Sequence, residues 1–390
     1  MSGLDHGLSR FSFELTEEQT MVAHVARDFA TRRLAPGAAE RDKTGTFPLE
    51  EVRELAALGL HAMKVPAADG GAGTDNVGYV LAMEAIASAC ASTAVVLASS
   101  NLTAKLLCDH ASAEQKARWL RPYVEGKLGP ASFALSEPGC GSDAAALTTR
   151  ARLDGDTWIL DGEKMWITSG TQAGIHLVFA RTDGPGRDGI SAFVVERGTP
   201  GLVVGKEEDK MGQRASGTAA LHFEGCRVPA ANLVGRRGGG YSIALSSLGA
   251  GRVGIAALSI GLAEAALAQG LGYGRERKAF GQALVDFQNT QFVLADCRME
   301  LDAAWLLMLR AARLLDAGDR AVAETSIAKL YASEAAGRII DRMVQLHGGY
   351  GYSRDYTIER LYRDARVTRI YEGTSEVQRL VIAREMLKSG

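Results

Sequence analysis

The sequence predicts a three-part protein of α and β domains, in which two helical segments flank a β-rich middle segment. Capping boxes and amphipathic runs predict the first helices. Short β-branched and aromatic runs broken by glycines, with no helix-length stretch between them, predict an antiparallel sheet or small barrel. Three long helix-forming runs then predict a bundle of long helices, packed across a subunit interface.

In the first segment, a capping box at Thr16 opens an amphipathic run through Leu34, and Pro48 opens a second run with helical spacing. The glycine-rich stretch 69–74 lacks the spacing of a phosphate-binding loop, so it is interpreted as a connector. Another capping box at Ser112 opens a helix that ends near residue 126.

The pattern changes near residue 128 and again near residue 236, which predicts domains 1–127, 128–235 and 236–390. Five runs carry the β character of the middle domain: 157–160, 164–168, 175–180, 190–195 and 219–223. The last domain contains three helical runs: 241–278, 286–317 and 319–346.

Composition excludes several classes of protein. An apolar fraction of 46 %, a charged fraction of 23 % and a net charge of -2 with interspersed signs predict neither nucleic-acid nor anionic-membrane binding. The five cysteines form no C-x-x-C pair, which favours reduced thiols over disulfides or a metal site. Neither a signal peptide nor an uninterrupted membrane-spanning apolar run is recognised, so a cytoplasmic enzyme with no membrane partner is expected.

The stretch 369–379 carries the strongest candidate for catalysis, Glu372. A helix is predicted to begin just after it, because Ser375 and Gln378 have the spacing of a capping box. The adjacent Gly373 permits positive φ and the close approach of a ligand. A carboxylate held there can act as a general base if burial raises its pKa against the helix dipole. Taken alone, however, a glutamate at a helix start is usually a solvated carboxylate before a cap, so partners elsewhere in the chain must support the catalytic role.

Two β-domain motifs suit a planar, polar ligand. In the stretch 133–143, the Ser136 and Ser142 hydroxyls and the N–H groups near Gly141 can bind ring edges or phosphate, although a simple turn has the same composition. In the stretch 164–168, Trp166 can stack on a ring and Thr168 can hydrogen-bond a ring nitrogen, although Trp166 alone is better interpreted as a core tryptophan.

Two further motifs follow helices: 277–281 combines a cation, an aromatic ring and a tight turn, and 345–351 is a glycine-rich helix end. In this order, the motifs resemble the acyl-CoA dehydrogenases over about residues 14 to 388. The resemblance is carried by the stretches 135–143, 210–216, 223–229, 345–349 and 371–376. It implies an N-terminal α-helical domain, a middle antiparallel β domain and a C-terminal four-helix-bundle domain. It also implies FAD bound between domains and across the interface of a homotetramer, or at least a dimer.

The resemblance also implies roles for individual residues. FAD and acyl-CoA contacts are matched by Phe133, Leu135, Ser136, Gly141, Ser142, Trp166 and Thr168. The pyrophosphate side of FAD is matched by Arg277, Phe280 and Gln288, its ADP part by Gln345, Gly348 and Gly349 from a neighbouring subunit, and further FAD contacts by Thr374 and Glu376. Ser142, Arg252 and Gly373 match substrate contacts.

Glu372 matches the catalytic base of the family. In some members the base instead precedes the arginine matched by Arg252, but that position here is Gly251, which leaves Glu372. The sequence departs from the family at Gly249, where an aspartate usually holds the pantetheine part of CoA.

The implied reaction is α,β-dehydrogenation of a saturated acyl-CoA to the trans-2-enoyl-CoA. Glu372 takes the α-proton, the β-hydride passes to flavin N5, and an electron-transfer flavoprotein re-oxidises the flavin. The alternatives are an oxidase or monooxygenase on the same fold, which the presence of Glu372 disfavours, and a non-catalytic binding protein. Small residues in 79–101 and 244–255 favour short or short-branched acyl groups.

Overall fold

The N-terminal part of the molecule is helical. The computed structural model describes residues 14–388. The first seven helices are α1 (Glu17–Phe29), α2 (Ala38–Thr44), α3 (Leu49–Ala57), α4 (Asn76–Ala89), α5 (Ala91–His110), α6 (Ala113–Gln115) and α7 (Arg121–Val124). Both predicted capping boxes form: Thr16 Oγ1 accepts from the Gln19 N–H at 3.2 Å, and Ser112 Oγ from the Gln115 N–H at 3.2 Å. The run predicted through Leu34 finishes as a π turn, Ala30–Leu34, before Pro36.

The middle part is one eight-stranded sheet. Its strands are β1 (Ala131–Ala134), β2 (Arg150–Asp154), β3 (Thr157–Ile167), β4 (Ile175–Arg181), β5 (Ile190–Glu196), β6 (Leu202–Glu207), β7 (Ala219–Pro229) and β8 (Leu233–Val234). Their order is β6-β7-β3-β2-β4-β5-β8, with β1 beside β4. The sheet is antiparallel as predicted, except that β1 and β2 each pair parallel with β4. The run 157–160 and most of the run 164–168 belong to the single strand β3, which ends at Ile167 and has two irregularities in its pairing with β7.

The C-terminal part is again helical. It contains α8 (Gly240–Ser246), α9 (Leu248–Glu276), α10 (Gln288–Asp316), α11 (Val322–His347), α12 (Thr357–Arg366) and α13 (Ser375–Lys388). A two-stranded hairpin, β9 (Lys278–Ala279) and β10 (Gln282–Ala283), joins α9 to α10. The predicted run 241–278 is therefore two helices separated at Ser247.

A single apolar core joins the two helical parts, because α9 packs against α11, α10 and α4. The side chains of this core are mostly Ala, Val, Leu and Ile, including Val80 on α4, Leu258 on α9 and Ile339 on α11. The small residues of α9 let its neighbours approach closely, since Gly254 faces Tyr79 and Gly261 faces the backbone of α4. This packing brings α4, α9 and α11 around the segment that carries Glu372.

Two helical stretches are long and apolar enough to cross a membrane by length and composition: Ala91–His110 and Gly240–Glu276. The expectation from the sequence, which looked for an uninterrupted apolar run, did not anticipate them. Of their apolar windows, 78 % and 67 % is buried inside the protein. Such burial is typical of helices that pack in a protein core.

Candidate active site

Glu372 lies in a tight turn with unusual backbone geometry. Its φ is +54° and that of Gly373 is +88°, so two consecutive residues are left-handed. A glutamate in this region is disfavoured and persists only where surrounding contacts hold it. Gln378 Nε2 donates to the carbonyl oxygens of both residues at 3.0 Å, and Lys329 Nζ donates to that of Gly373 at 2.7 Å.

The predicted capping box at the start of α13 is wrong. Thr374 is the capping residue, since its hydroxyl accepts from the Val377 N–H at 3.3 Å. The Ser375 hydroxyl instead donates to Glu334 Oε1 at 2.7 Å, and the Gln378 amide reaches back to the turn. The Ser375 and Gln378 side chains therefore do not cap the helix, because they bind α11 and the turn instead.

A cavity of about 520 Å³ opens beside Glu372, bounded by α4, α5, the start of α9, the segment between α10 and α11, and α13. Gly251 makes room for the carboxylate, because a methyl group added there would lie 2.7 Å from Glu372 Oε2. Of the three residues implied to contact substrate, Arg252 lines this cavity. Gly373 lies next to Glu372 in the turn, and Ser142 lies on an exposed loop of the β domain.

Opposing effects act on the Glu372 carboxyl. Burial raises its pKa, and the charges of Arg252 and Lys329 oppose that rise without cancelling it. Arg252 is itself 6 % exposed, and its Nε has no hydrogen-bond acceptor in the part of the chain that the structure describes. A carboxyl with a raised pKa is a stronger base than a solvated one, and the two cations keep its ionised form accessible.

Tyr79 and Lys329 are two neighbours of Glu372 that the sequence analysis missed. A methyl group on Gly254 would lie 2.6 Å from the Tyr79 hydroxyl. Since Gly251 and Gly254 are one helical turn apart, the phenol and the carboxyl face the same side of α9. Burial and the Glu372 charge raise the pKa of Tyr79, so it stays a neutral phenol. The spacing in the sequence could have revealed Lys329, because it lies on one helical face with Thr325, Ala328 and Ala332, and this face of α11 is buried.

The two β-domain motifs lie side by side, because the Met165 N–H donates to the Ser136 carbonyl at 2.9 Å. Trp166 is not a core residue: its φ is +64° and it is 59 % exposed, with the indole outside the sheet core. Phe133, Leu135, Ser136 and Thr168 are half-buried, and Gly141 and Ser142 are exposed.

A buried ion pair anchors the stretch 133–143 to strand β3. Lys164 Nζ lies 2.8 Å from Glu137 Oε1 and donates to the Leu135 carbonyl at 3.0 Å. Glu137 also accepts from the N–H groups of Thr148 and Thr149 at 2.6 and 2.9 Å. Burial opposes ionisation of Glu137, but Lys164 and these hydrogen bonds outweigh it and lower its pKa to about 2. The pair therefore stays charged and holds the loop in one conformation.

The third group of predicted residues forms an exposed surface where α9, α10 and α11 end or begin. Its members are Arg277, Phe280, Gln288, Gln345, Gly348 and Gly349. Phe280 has a φ of +50° and is 98 % exposed, and the Arg277 guanidinium lies 5.7 Å from the Tyr350 ring. Over residues 14–388, no hydrogen bond, ion pair or ring contact joins this surface to Trp166 or to the stretch 133–143.

Thr374 and Glu376 lie at the start of α13, half-buried and exposed respectively. The exposed indole and the neighbouring hydroxyls offer a face and polar-edge donors that fit a flavin ring, and the separate exposed Arg277 offers a cation that fits phosphate. No group of three or more His, Cys, Asp or Glu side chains that could hold a metal ion occurs between residues 14 and 388.

Comparison with known families decides the class of protein. Models of the acyl-CoA dehydrogenase N-terminal, middle and C-terminal domains match residues 16–127, 132–226 and 238–387. The chain belongs to the acyl-CoA dehydrogenase family. It is accordingly an oxidoreductase with FAD as its cofactor, and the fold implied by the resemblance is confirmed.

Individual relatives are similar along nearly the whole chain. The short-chain specific acyl-CoA dehydrogenase of Mus musculus is 48 % identical over 381 residues, which cover 97 % of this chain and 92 % of that protein. The short-chain specific acyl-CoA dehydrogenase of Clostridium acetobutylicum is 41 % identical over 379 residues, covering 96 % of this chain and 100 % of that one.

Solved structures agree with this assignment. Butyryl-CoA dehydrogenase from Megasphaera elsdenii has a TM-score of 0.94 and 41 % identity, covering 97 % of this chain and 100 % of that one. A chain in the structure of the electron transferring flavoprotein of Acidaminococcus fermentans has a TM-score of 0.95 and 40 % identity, covering 97 % and 100 %. A glutaryl-CoA dehydrogenase of Mycobacterium smegmatis, solved in complex with FADH2, has a TM-score of 0.91 and 32 % identity, covering 96 % and 95 %.

Proposed function

We propose that this acyl-CoA dehydrogenase oxidises short-chain acyl-CoA thioesters and that Glu372 is its catalytic base. The observation that carries the proposal is the Glu372 carboxyl, with its pKa raised by burial, at the wall of the cavity and directly opposite Gly251. The relatives named for short-chain substrates and for butyryl-CoA support the substrate class.

Different residues would serve different steps of the reaction. Bound FAD supplies the acceptor for the β-hydride. The Glu372 carboxylate takes the α-proton, and an apolar acyl chain bound beside it would displace water from the carboxylate. The Glu372 N–H has no acceptor among the described residues and is suited to stabilise negative charge on the thioester oxygen. Trp166, Ser136 and Thr168 would hold the flavin ring, and Arg277 its pyrophosphate.

The same cavity suits a polyanionic ligand. Besides Arg252, five cationic side chains contribute to its lining: Lys64, Lys105, Arg320, Arg384 and Lys388. Arg320 and Arg384 have no ion-pair partner within residues 14–388, whereas Lys105 pairs with Asp109 and Lys388 with Glu385. These charges supply attraction for the phosphates of CoA at a site where Gly249 replaces the aspartate expected from the family.

The wall near Tyr79 supports short acyl groups. On α9 the cavity lining stops at Ile255, and on α4 it includes Asn76 and Tyr79 but nothing further along the helix. Tyr79 is 3 % exposed and packs directly against Gly254. A buried, closely packed phenol is costly to displace, so a longer chain meets a fixed obstacle.

We therefore expect butyryl-CoA to bleach the bound flavin anaerobically with an apparent second-order rate constant at least about tenfold above that of octanoyl-CoA. Tyr79→Ala should narrow this ratio by opening the wall, whereas Tyr79→Phe, which keeps the ring, should preserve it. Stopped-flow bleaching with a panel of acyl-CoA thioesters measures both. A preference for octanoyl-CoA, or a Tyr79→Ala ratio equal to the parent's, would refute the assignment. Rapid re-oxidation of the flavin in air with product bound would instead indicate an oxidase.

We also propose that the enzyme is a homo-oligomer, a tetramer or at least a dimer, that reduces an electron-transfer flavoprotein. Along α10, Phe292, Met299 and Leu306 recur every seven residues and are 60 %, 64 % and 46 % exposed, which forms an apolar stripe that another subunit would cover. Light scattering should give a mass of two or four chains; the mass of a single chain would contradict the proposal. A cytoplasmic location remains a prediction from the sequence.

A further inference from the structure

Lys329 is a buried cation on α11. Its side chain is 0 % exposed and shares the inward face of the helix with Thr325, Ala328 and Ala332. Burying an ammonium group is unfavourable unless it is hydrogen-bonded and faces a negative charge. A lysine in this position therefore needs a partner that offsets the loss of hydration.

The hydrogen bond of Lys329 goes to the turn that presents the base. Its Nζ donates to the Gly373 carbonyl at 2.7 Å, which is its one hydrogen-bond acceptor among the described residues. The same carbonyl and that of Glu372 accept from Gln378 Nε2, and Gln378 is also fully buried. An ammonium and an amide together clamp two consecutive left-handed residues.

The charges around Lys329 single out Glu372 as its electrostatic partner. The acidic side chains near it are Glu372 from the turn, Glu376 from α13 and Glu334 from its own helix, and Arg252 on α9 is a nearby cation. Glu334 already accepts from the Ser375 hydroxyl and lies 3.4 Å from the Arg369 guanidinium, and Glu376 is exposed. Burial lowers the pKa of Lys329 to about 8, so the ammonium remains mostly charged at neutral pH.

We propose that Lys329 is a positioning residue for the catalytic base: it fixes the carbonyl of the turn that carries Glu372 and keeps the Glu372 carboxylate ionised inside the cavity. The proposal rests on the function proposed above. Gln378 shares the first task and not the second, because its amide is uncharged. Replacing each side chain in turn therefore distinguishes the effect of the hydrogen bond from the effect of the charge. Methionine is close in size to both and can replace either.

The test uses the FAD-loaded enzyme and single-turnover bleaching by butyryl-CoA between pH 6 and 9. Lys329→Met should retain FAD, bleach about tenfold or more slowly at pH 7, and raise by about one unit the apparent pKa of the group whose deprotonation permits bleaching. The direction follows because loss of a nearby cation destabilises the carboxylate, so the ionised base appears only at higher pH. Gln378→Met should slow bleaching without moving that pKa. Lys127→Met, which removes an exposed lysine, should change neither.

Failure of the proposed function and failure of the positioning role give different results. If the parent enzyme is bleached by no acyl-CoA, the proposed function fails and this inference fails with it. If the parent is bleached but Lys329→Met keeps the parent's rate and pH profile, Lys329 has no positioning role although the function stands. Should Lys329→Met not load FAD, Lys329→Gln replaces it, since glutamine keeps a donor and lacks the charge. An unshifted pH profile in Lys329→Gln would then overturn the inference.

Discussion

Glu372→Gln is expected to retain FAD while slowing anaerobic flavin bleaching by acyl-CoA by roughly 10² to 10⁴-fold. Glutamine keeps the size of the side chain, and the turn is held by main-chain carbonyls that bind Gln378 and Lys329, so the local structure should survive. An amide cannot accept the α-proton, however. The FAD absorbance of the purified variant and stopped-flow bleaching measure the two properties separately.

A matched control comes from a second carboxylate that lines the same cavity, Glu385 on α13. Glu385→Gln makes the same chemical change without altering the proposed base, and it should bleach within a few-fold of the parent. Undiminished bleaching in Glu372→Gln would show that another group takes the proton. Loss of bleaching in Glu385→Gln alone would move the base to α13.

The second large effect is expected from Gly251→Ala, which should slow bleaching by about 10²-fold while leaving the fold intact. Alanine is the better helix former, so the substitution is favourable for α9 itself. Its methyl group, however, would lie 2.7 Å from Glu372 Oε2, which forces the carboxyl away from its position. A displacement of about 1 Å of a catalytic group can cost on the order of 10²-fold in rate.

The same helix offers the control. Gly272 lies in α9 and has nothing within 4 Å of an added methyl group, so Gly272→Ala should bleach at the parent rate. Thermal unfolding of both variants, followed by circular dichroism, should show no loss of stability relative to the parent. A Gly251→Ala enzyme with parent-like bleaching would mean that Glu372 adopts another position during the reaction.

Local chemistry in the sequence predicted much of the architecture. The capping boxes at Thr16 and Ser112 form because both partners lie within one helical turn, although Gln19 also donates to Asp75 and Gln115 to the Leu233 carbonyl. The runs predicted β3, β4, β5 and β7, but β1, β2, β6 and β8 were missed. β1 and β8 are short, and exposed polar residues such as Arg150 and Lys206 dilute the pattern of β2 and β6. The switch from helical to β and back was visible because it depends on periodicity alone.

The chemistry of the turn was predictable only in part. Glu372 could be proposed from its place before a helix and from the family motif, but its burial and its contact with Gly251 depend on α9, more than a hundred residues earlier in the chain. The cap at Ser375 was mispredicted for the same reason, because Glu334 on α11 binds that hydroxyl. By itself, Trp166 was better interpreted as a core residue, and this was wrong because the indole is exposed where strand β3 is bulged.

The sequence by itself thus determined the order of the three domains and the family, and it singled out the residue proposed to take a proton. Only the tertiary structure decided what surrounds that residue: Tyr79 from α4, Arg252 from α9 and Lys329 from α11. The physical reason is that burial and Coulomb forces act through space, so the basicity of a carboxyl depends on helices that are distant in sequence.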